Sequence, residues 1–158
     1  MRFLRGALLA TVVSTSAWAA QVTADTFAPV TKLSVDAEKY DPAALAKVAN
    51  ILIKAGFDEQ ETISSISKLV VDRVPADQLP DMVSASAMLS SVTGQSLARS
   101  SAKISRAFRG SVADIRKLDS EYNFLTSAQY DEIRVSKLED GRRIALRALV
   151  DRLDSATN

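Results

Sequence analysis

From Asp41 onward, apolar residues return every three or four positions, and each such run is bracketed by residues that start or stop helices. Asp41-Pro42 offers an N-cap followed by a first-turn proline, and Gly56 offers a left-handed close. Between them Leu45, Val48, Ala49 and Leu52 share one face. Asp58 with Glu61 opens a second helix, with Ile63, Ile66 and Val70 as its stripe and Leu69 beside it. A turn over 73–79 contains Pro75. Pro80 then starts a third helix that carries Met82, Ala85, Leu89 and Val92 as far as Gly94. Ser96 opens a fourth, with Leu97, Ser101, Ile104 and Phe108 inward and Gly110 at its end. Ser111 and Asp114 have capping-box spacing for a short fifth helix that reaches Tyr122. Residues 126–140 are expected as the sixth helix and 142–153 as the seventh, with Leu146, Leu149, Val150 and Leu153 in register. Each stripe covers one face only, so the helices must bury against one another or against a partner. Short connections favour antiparallel neighbours. The expected fold class is all-α: an irregular bundle or hairpin array of six to seven short amphipathic helices over residues 41–154.

The first forty residues read differently. Residues 21–40 have no helical period, contain Pro29 and several threonines, and are expected as an extended linker. Residues 1–20 have the pattern of a secretory signal peptide: Arg2 and Arg5, an apolar run over 4–13, then small-x-small at Ala17-Trp18-Ala19. That run is too short to span about 30 Å of hydrocarbon as a helix. The expectation is cleavage after Ala19 or Ala20, with export to the periplasm or secretion. The plainer alternative is an uncleaved apolar helix packed within the fold.

Composition narrows the chemistry. A chain of 158 residues suits one domain with its own core. It contains no cysteine and no histidine. Thiol nucleophiles, disulfides, imidazole bases and nearly all zinc, copper and haem sites are thereby removed. No loop has calcium-site spacing, so no cofactor or metal is expected. Net charge is +1. Without Arg2 and Arg5 the balance is nearly neutral, which argues against a dedicated nucleic-acid binder.

Several clusters invite a functional reading. Arg99, Lys103, Arg106 and Arg109 lie on the side of the fourth helix opposite Leu97, Ile104 and Phe108, with no acidic residue between 97 and 110. They could face DNA, lipid headgroups or an acidic protein. The commoner meaning of such a face is a solvated one, and that is the expectation. Arg142, Arg143 and Arg147, offset by Glu139, Asp140 and Asp151, are expected at the surface. Asp58, Glu59, Glu61, Asp131 and Glu132 are explained by their places in first helical turns. The helical serines lack any motif that supplies a base, so catalysis is not expected. Tyr122, Phe124 and Tyr130 gather at one helix–helix corner, as a docking patch or as core; core is expected, with Phe124 stapling the chain beside the N-cap Thr126.

The run over 119–141 carries Tyr122 at a helix end, then Asn123-Phe124-Leu125, a capping box of Thr126 and Gln129, and finally Tyr130, Ile133, Arg134 and a terminal Gly141. It resembles the tail-length tape-measure proteins of long-tailed bacteriophages and prophages, in which a Phe-Leu-Thr segment followed by Ile-Arg and a glycine recurs. Upstream, Ser91-Val92-Thr93-Gly94-Gln95-Ser96 and then Phe108 resemble a second segment of that family. Asp140-Gly141-Arg142 departs from its usual Gln-Gly-(Arg/Lys) ending. The similarity covers residues 45–153. It implies a structural role in or around a tail tube, with tube subunits, tail-assembly chaperones and baseplate proteins as partners. The place it implies is the virion tail, or the host cytoplasm during assembly. Even as one straight helix, the chain after Ala19 would reach only about 210 Å at 1.5 Å per residue. A truncated prophage remnant, one module of a ruler, or a domain reused by the host is therefore expected. The alternative from another class is an exported helical binding protein of the bacterial envelope. A third reading is a membrane- or nucleic-acid-binding protein acting through the basic stripe.

Overall fold

A computed structural model describes residues 21–33 and 40–157; the leader, with its expected cleavage site, lies outside the described residues. Among the described residues the chain forms eight α-helices and no strand: α1 Ala24–Leu33, α2 Pro42–Lys54, α3 Glu59–Val71, α4 Leu79–Thr93, α5 Leu97–Arg109, α6 Val112–Tyr122, α7 Ser127–Val135 and α8 Leu138–Thr157. The all-α class and the helical-bundle character hold.

Local chemistry sets most boundaries. The Asp41 carboxylate accepts from Ala43 N–H at 2.9 Å ahead of Pro42 in α2. Asp58 accepts from Glu61 N–H at 2.8 Å and caps α3. Gly56 (φ +97°) and Gly94 (φ +67°) turn the chain out of α2 and α4 in the left-handed conformation that glycine adopts without a Cβ clash. Phe57 N–H reaches back to Leu52 C=O at 3.1 Å, which satisfies a carbonyl that the helix end leaves open.

The buried helix α4 packs against both α5 and α8. α5 also contacts α3 and α6, α3 meets α1 and α2, and α6 and α7 lie against α8. One core runs through these contacts, from Leu45, Leu52 and Ile66 through Leu89 and Ile104 to Ile115 and Leu149. Serines and alanines bring the helices close: Ser86, Ser100 and Ala85 are fully buried.

Three expectations change. Residues 21–40 are not an extended linker throughout, because α1 occupies Ala24–Leu33 with Pro29 inside it. Phe27 is fully buried, Thr31 and Val22 are nearly so, and the helix packs on α2 and α3. The chain ahead of α1 is pinned by Asn50, which accepts from Val22 N–H at 3.0 Å and donates to Val22 C=O at 2.8 Å. Burial of Phe27 outweighs a single exposed proline, whose missing N–H frees one carbonyl in the preceding turn. Second, Val92 is exposed, 47% of it. The buried arc of α4 is centred on small Ser86 and Ser90, and at about 100° per residue Val92 falls just outside it.

The third change concerns 126–157. The sixth expected helix stops at Val135 instead of residue 140, and the last begins at Leu138 instead of 142. Gly141 ends nothing: it sits buried inside α8. A Cβ there would lie 3.2 Å from Ile133 Cγ2 and 3.4 Å from Ile133 O. The glycine lets the first turn of α8 come close to α7.

Candidate interaction surface

The basic stripe starts from a well-capped helix. Ser96 accepts from Arg99 N–H at 3.3 Å, and the Glu61 carboxylate of α3 accepts from Ala98 N–H at 3.0 Å. Acceptors are favoured there because the first N–H groups of a helix have no partner within it. Along α5 the four cations then divide. The Lys103 ammonium bonds the Glu121 carboxylate, donates to the Tyr122 hydroxyl at 2.8 Å, and stands 4.9 Å from the centre of the Tyr122 ring. The Glu121 bond first, and the Tyr122 bond second, raise the Lys103 pKa above the ordinary lysine value. Arg109 lies 3.3 Å from the Asp72 carboxylate, which also pairs with Lys68 at 3.2 Å and accepts from the Ser105 hydroxyl at 3.2 Å. Lys103 thus ties α5 to α6, and Arg109 ties α5 to the end of α3. Arg99 and Arg106 are exposed and have no ion-pair partner among the described residues.

Tyr122, Phe124 and Tyr130 do meet at one corner, and the residue that joins the corner is Asp119. Only 7% exposed, its Oδ1 accepts from Phe124 N–H at 2.8 Å and Leu125 N–H at 2.7 Å, while Oδ2 accepts from the Tyr130 hydroxyl. Asn123 makes the turn in the left-handed region (φ 49°), which asparagine tolerates. Thr126 and Gln129 form the expected reciprocal cap: Thr126 N–H donates to Gln129 Oε1 at 2.8 Å, and Gln129 N–H to Thr126 Oγ1 at 3.3 Å. Phe124 is buried, whereas Tyr122 and Tyr130 are partly buried with their hydroxyls engaged. Burial, then the bond to Asp119, pushes the Tyr130 hydroxyl up to about 12. Arg116 stands 5.7 Å from the centre of the Tyr130 ring. No expectation had fallen on Asp119. Its signal was a carboxylate in the last turn of a helix, where the dipole disfavours negative charge unless specific donors hold it.

Arg142 also departs from its expected surface place. Its guanidinium is half-buried and donates to Arg109 C=O at 2.9 Å and Gly110 C=O at 2.6 Å, covering the carbonyls at the end of α5. Arg143 is exposed and pairs with Asp77 at 2.7 Å. Arg147 is exposed.

Two concavities lie outside this corner, the first of them bordered by Gln129. A cleft of about 370 Å³ opens between the start of α4, α7 and α8, with charged walls. A groove of about 420 Å³ lies between α2 and α4, lined by apolar residues including Val48, Ile51, Phe57, Val83 and Met88. Ile51, at its edge, is 65% exposed. No helix among the described residues is long and apolar enough to cross a membrane. No three potential metal ligands among them cluster. No protein-family model, curated protein or solved structure matches the chain.

Proposed function

We propose that the chain is a non-enzymatic structural module of a phage tail, of the tail-length tape-measure type. Its partners would be tail-tube subunits, a tail-assembly chaperone or baseplate proteins. The observation that carries this reading is the corner around Asp119. At that corner, within the stretch that resembles the tape-measure proteins, polar groups hold the chain to itself: Asp119 on Phe124, Leu125 and Tyr130, and Thr126 on Gln129. A corner whose polar groups are spent on shape serves packing and docking better than turnover. The test is mass spectrometry of tails purified after prophage induction in the source strain. Peptides from residues 45–153, enriched with tail-tube protein, are expected. Tails free of them, from cells that make the chain, would discard the reading.

A second reading, an exported binding protein of the envelope, is favoured by the leader pattern of Arg2, Arg5 and Ala17-Trp18-Ala19 and by the apolar groove between α2 and α4. It requires a new N-terminus at Ala20 or Gln21 in the periplasmic fraction of a Gram-negative host. An intact Met1 terminus in the cytosol removes it.

A further inference from the structure

Two faces of the molecule hold opposite charges that the fold leaves unanswered. The cleft between α4, α7 and α8 presents the carboxylates of Asp77, Asp81, Glu132 and Asp151 beside Arg143 and Arg147. Arg143 is taken by Asp77 at 2.7 Å. That leaves three carboxylates against Arg147, and none of the three has an ion-pair partner among the described residues. Gln78 lines the same cleft and is only 7% exposed, yet its side-chain amide makes no hydrogen bond to any described residue. The amide is not sealed from solvent, so its donors and acceptor open into the cleft. Beside the carboxylates it suits a multi-donor cation, and guanidinium, with five N–H donors, fits best.

The chain carries such groups on a different face. Arg99 and Arg106 are exposed and have no ion-pair partner among the described residues, whereas Lys103 between them is held by Glu121 and Tyr122. Seven residues apart, they share one side of α5 and stand about 10 Å apart along its axis. Their helix packs on α3, α4 and α6, so its exposed side is not a wall of the cleft.

We propose that the α4–α7–α8 cleft receives the Arg99/Arg106 face of α5 from a second copy of this chain. The donor and acceptor surfaces differ, so the contact is heterologous: each bound pair keeps one free cleft, on one copy, and one free arginine face, on the other. Association of that type propagates head to tail unless the rotation closes a ring. It goes beyond the tail-module reading and stands or falls without it.

Sedimentation velocity on the full chain over a concentration series, at about 50 mM and about 500 mM salt, tests the proposal; at the higher salt, surface charges are screened within a few ångströms. The mean mass is expected to rise with concentration at low salt and to fall back towards monomer at high salt. Arg99→Gln with Arg106→Gln, and separately Asp81→Asn with Asp151→Asn, should each lower the association constant at least tenfold. Mixed in equal amounts, the two variants should associate again and stop at a dimer, because one keeps only the cleft and the other only the arginines. That recovery also shows both variants to be folded. A wild-type chain that stays monomeric at low salt overturns the proposal. So does association that survives either pair of substitutions, or that is lost with the cleft pair alone, which would assign the cleft to some other cation. A mixture that grows past the dimer overturns it too.

Discussion

At the corner between α6 and α7, one carboxylate takes the place of the water that two backbone N–H groups and a phenol would otherwise need. Asp119 accepts from Phe124, Leu125 and Tyr130 together, so its removal leaves several buried donors without an acceptor. Asp119→Ala is expected to cost about 3 kcal/mol in urea denaturation, and Asp119→Asn, which retains one carbonyl oxygen, about 1 kcal/mol. Equal losses for the two would mean that the negative charge, and not the acceptor geometry, holds the corner. Tyr130 gives the corner an alkaline limit. Its hydroxyl is raised from 10.0 to about 12, so the folded state holds that proton more tightly than the unfolded one. The resulting stabilisation is complete below about pH 10 and is lost as the pH rises from 10 to 12. Wild-type protein should lose on the order of 1–2 kcal/mol across that window through this group. Tyr130→Phe should flatten that part of the decline in urea midpoints measured against pH.

Helix ends and helix crossings set the next scale. Arg73 follows α3 with φ 58°, a conformation in which a Cβ crowds the backbone, and its neighbour Val74 sends its N–H back to Leu69 C=O at 3.1 Å. The side chain is exposed, so Arg73→Gly removes strain and little else. It should raise stability by about 1 kcal/mol, read as a higher urea midpoint with unchanged slope. Gly141 presents the opposite case. Its position in α8 faces Ile133 at distances that leave no room for branching, so Gly141→Leu should cost about 2 kcal/mol by forcing α7 and α8 apart. A stable Gly141→Leu protein would show that the α7–α8 junction is soft. Both effects depend on backbone geometry, which composition and periodicity do not report.

Across the whole molecule, α1 belongs to the core. Phe27 is fully buried and α1 packs against α2 and α3, so Phe27→Ala should cost about 3–4 kcal/mol, the range for emptying a buried aromatic site. A loss below about 1 kcal/mol would return residues 24–33 to the status of a detachable segment. The same packing explains why the basic stripe does not act as one unit. Lys103 and Arg109 stitch α5 to α6 and α3, which leaves Arg99 and Arg106 as the two of the four without an ion-pair partner among the described residues.

The one-dimensional pattern settled whatever depends on neighbours in the chain. Asp41, Asp58, Ser96 and Thr126 were legible as caps because a cap bonds N–H groups two or three residues away. The stripes of α2, α3 and α5 were legible because helical periodicity projects one face to one neighbour. The gathering of Tyr122, Phe124 and Tyr130 was legible for the same local reason. Tertiary packing decided the rest. Phe27 makes α1 a core helix despite Pro29, and the approach of α8 to α7 turns Gly141 from an apparent stop into a contact. Arg142 becomes a cap for α5 from 32 residues away, and Glu61 lends a carboxylate to α5 across 37. Asp119 stood outside the pattern although its partners are near in sequence, because its role depends on the chain reversing at Asn123 so that Tyr130 returns to it. Capping and periodicity are short-range and are written in spacing. Burial, close approach and the pairing of distant charges arise only when helices meet.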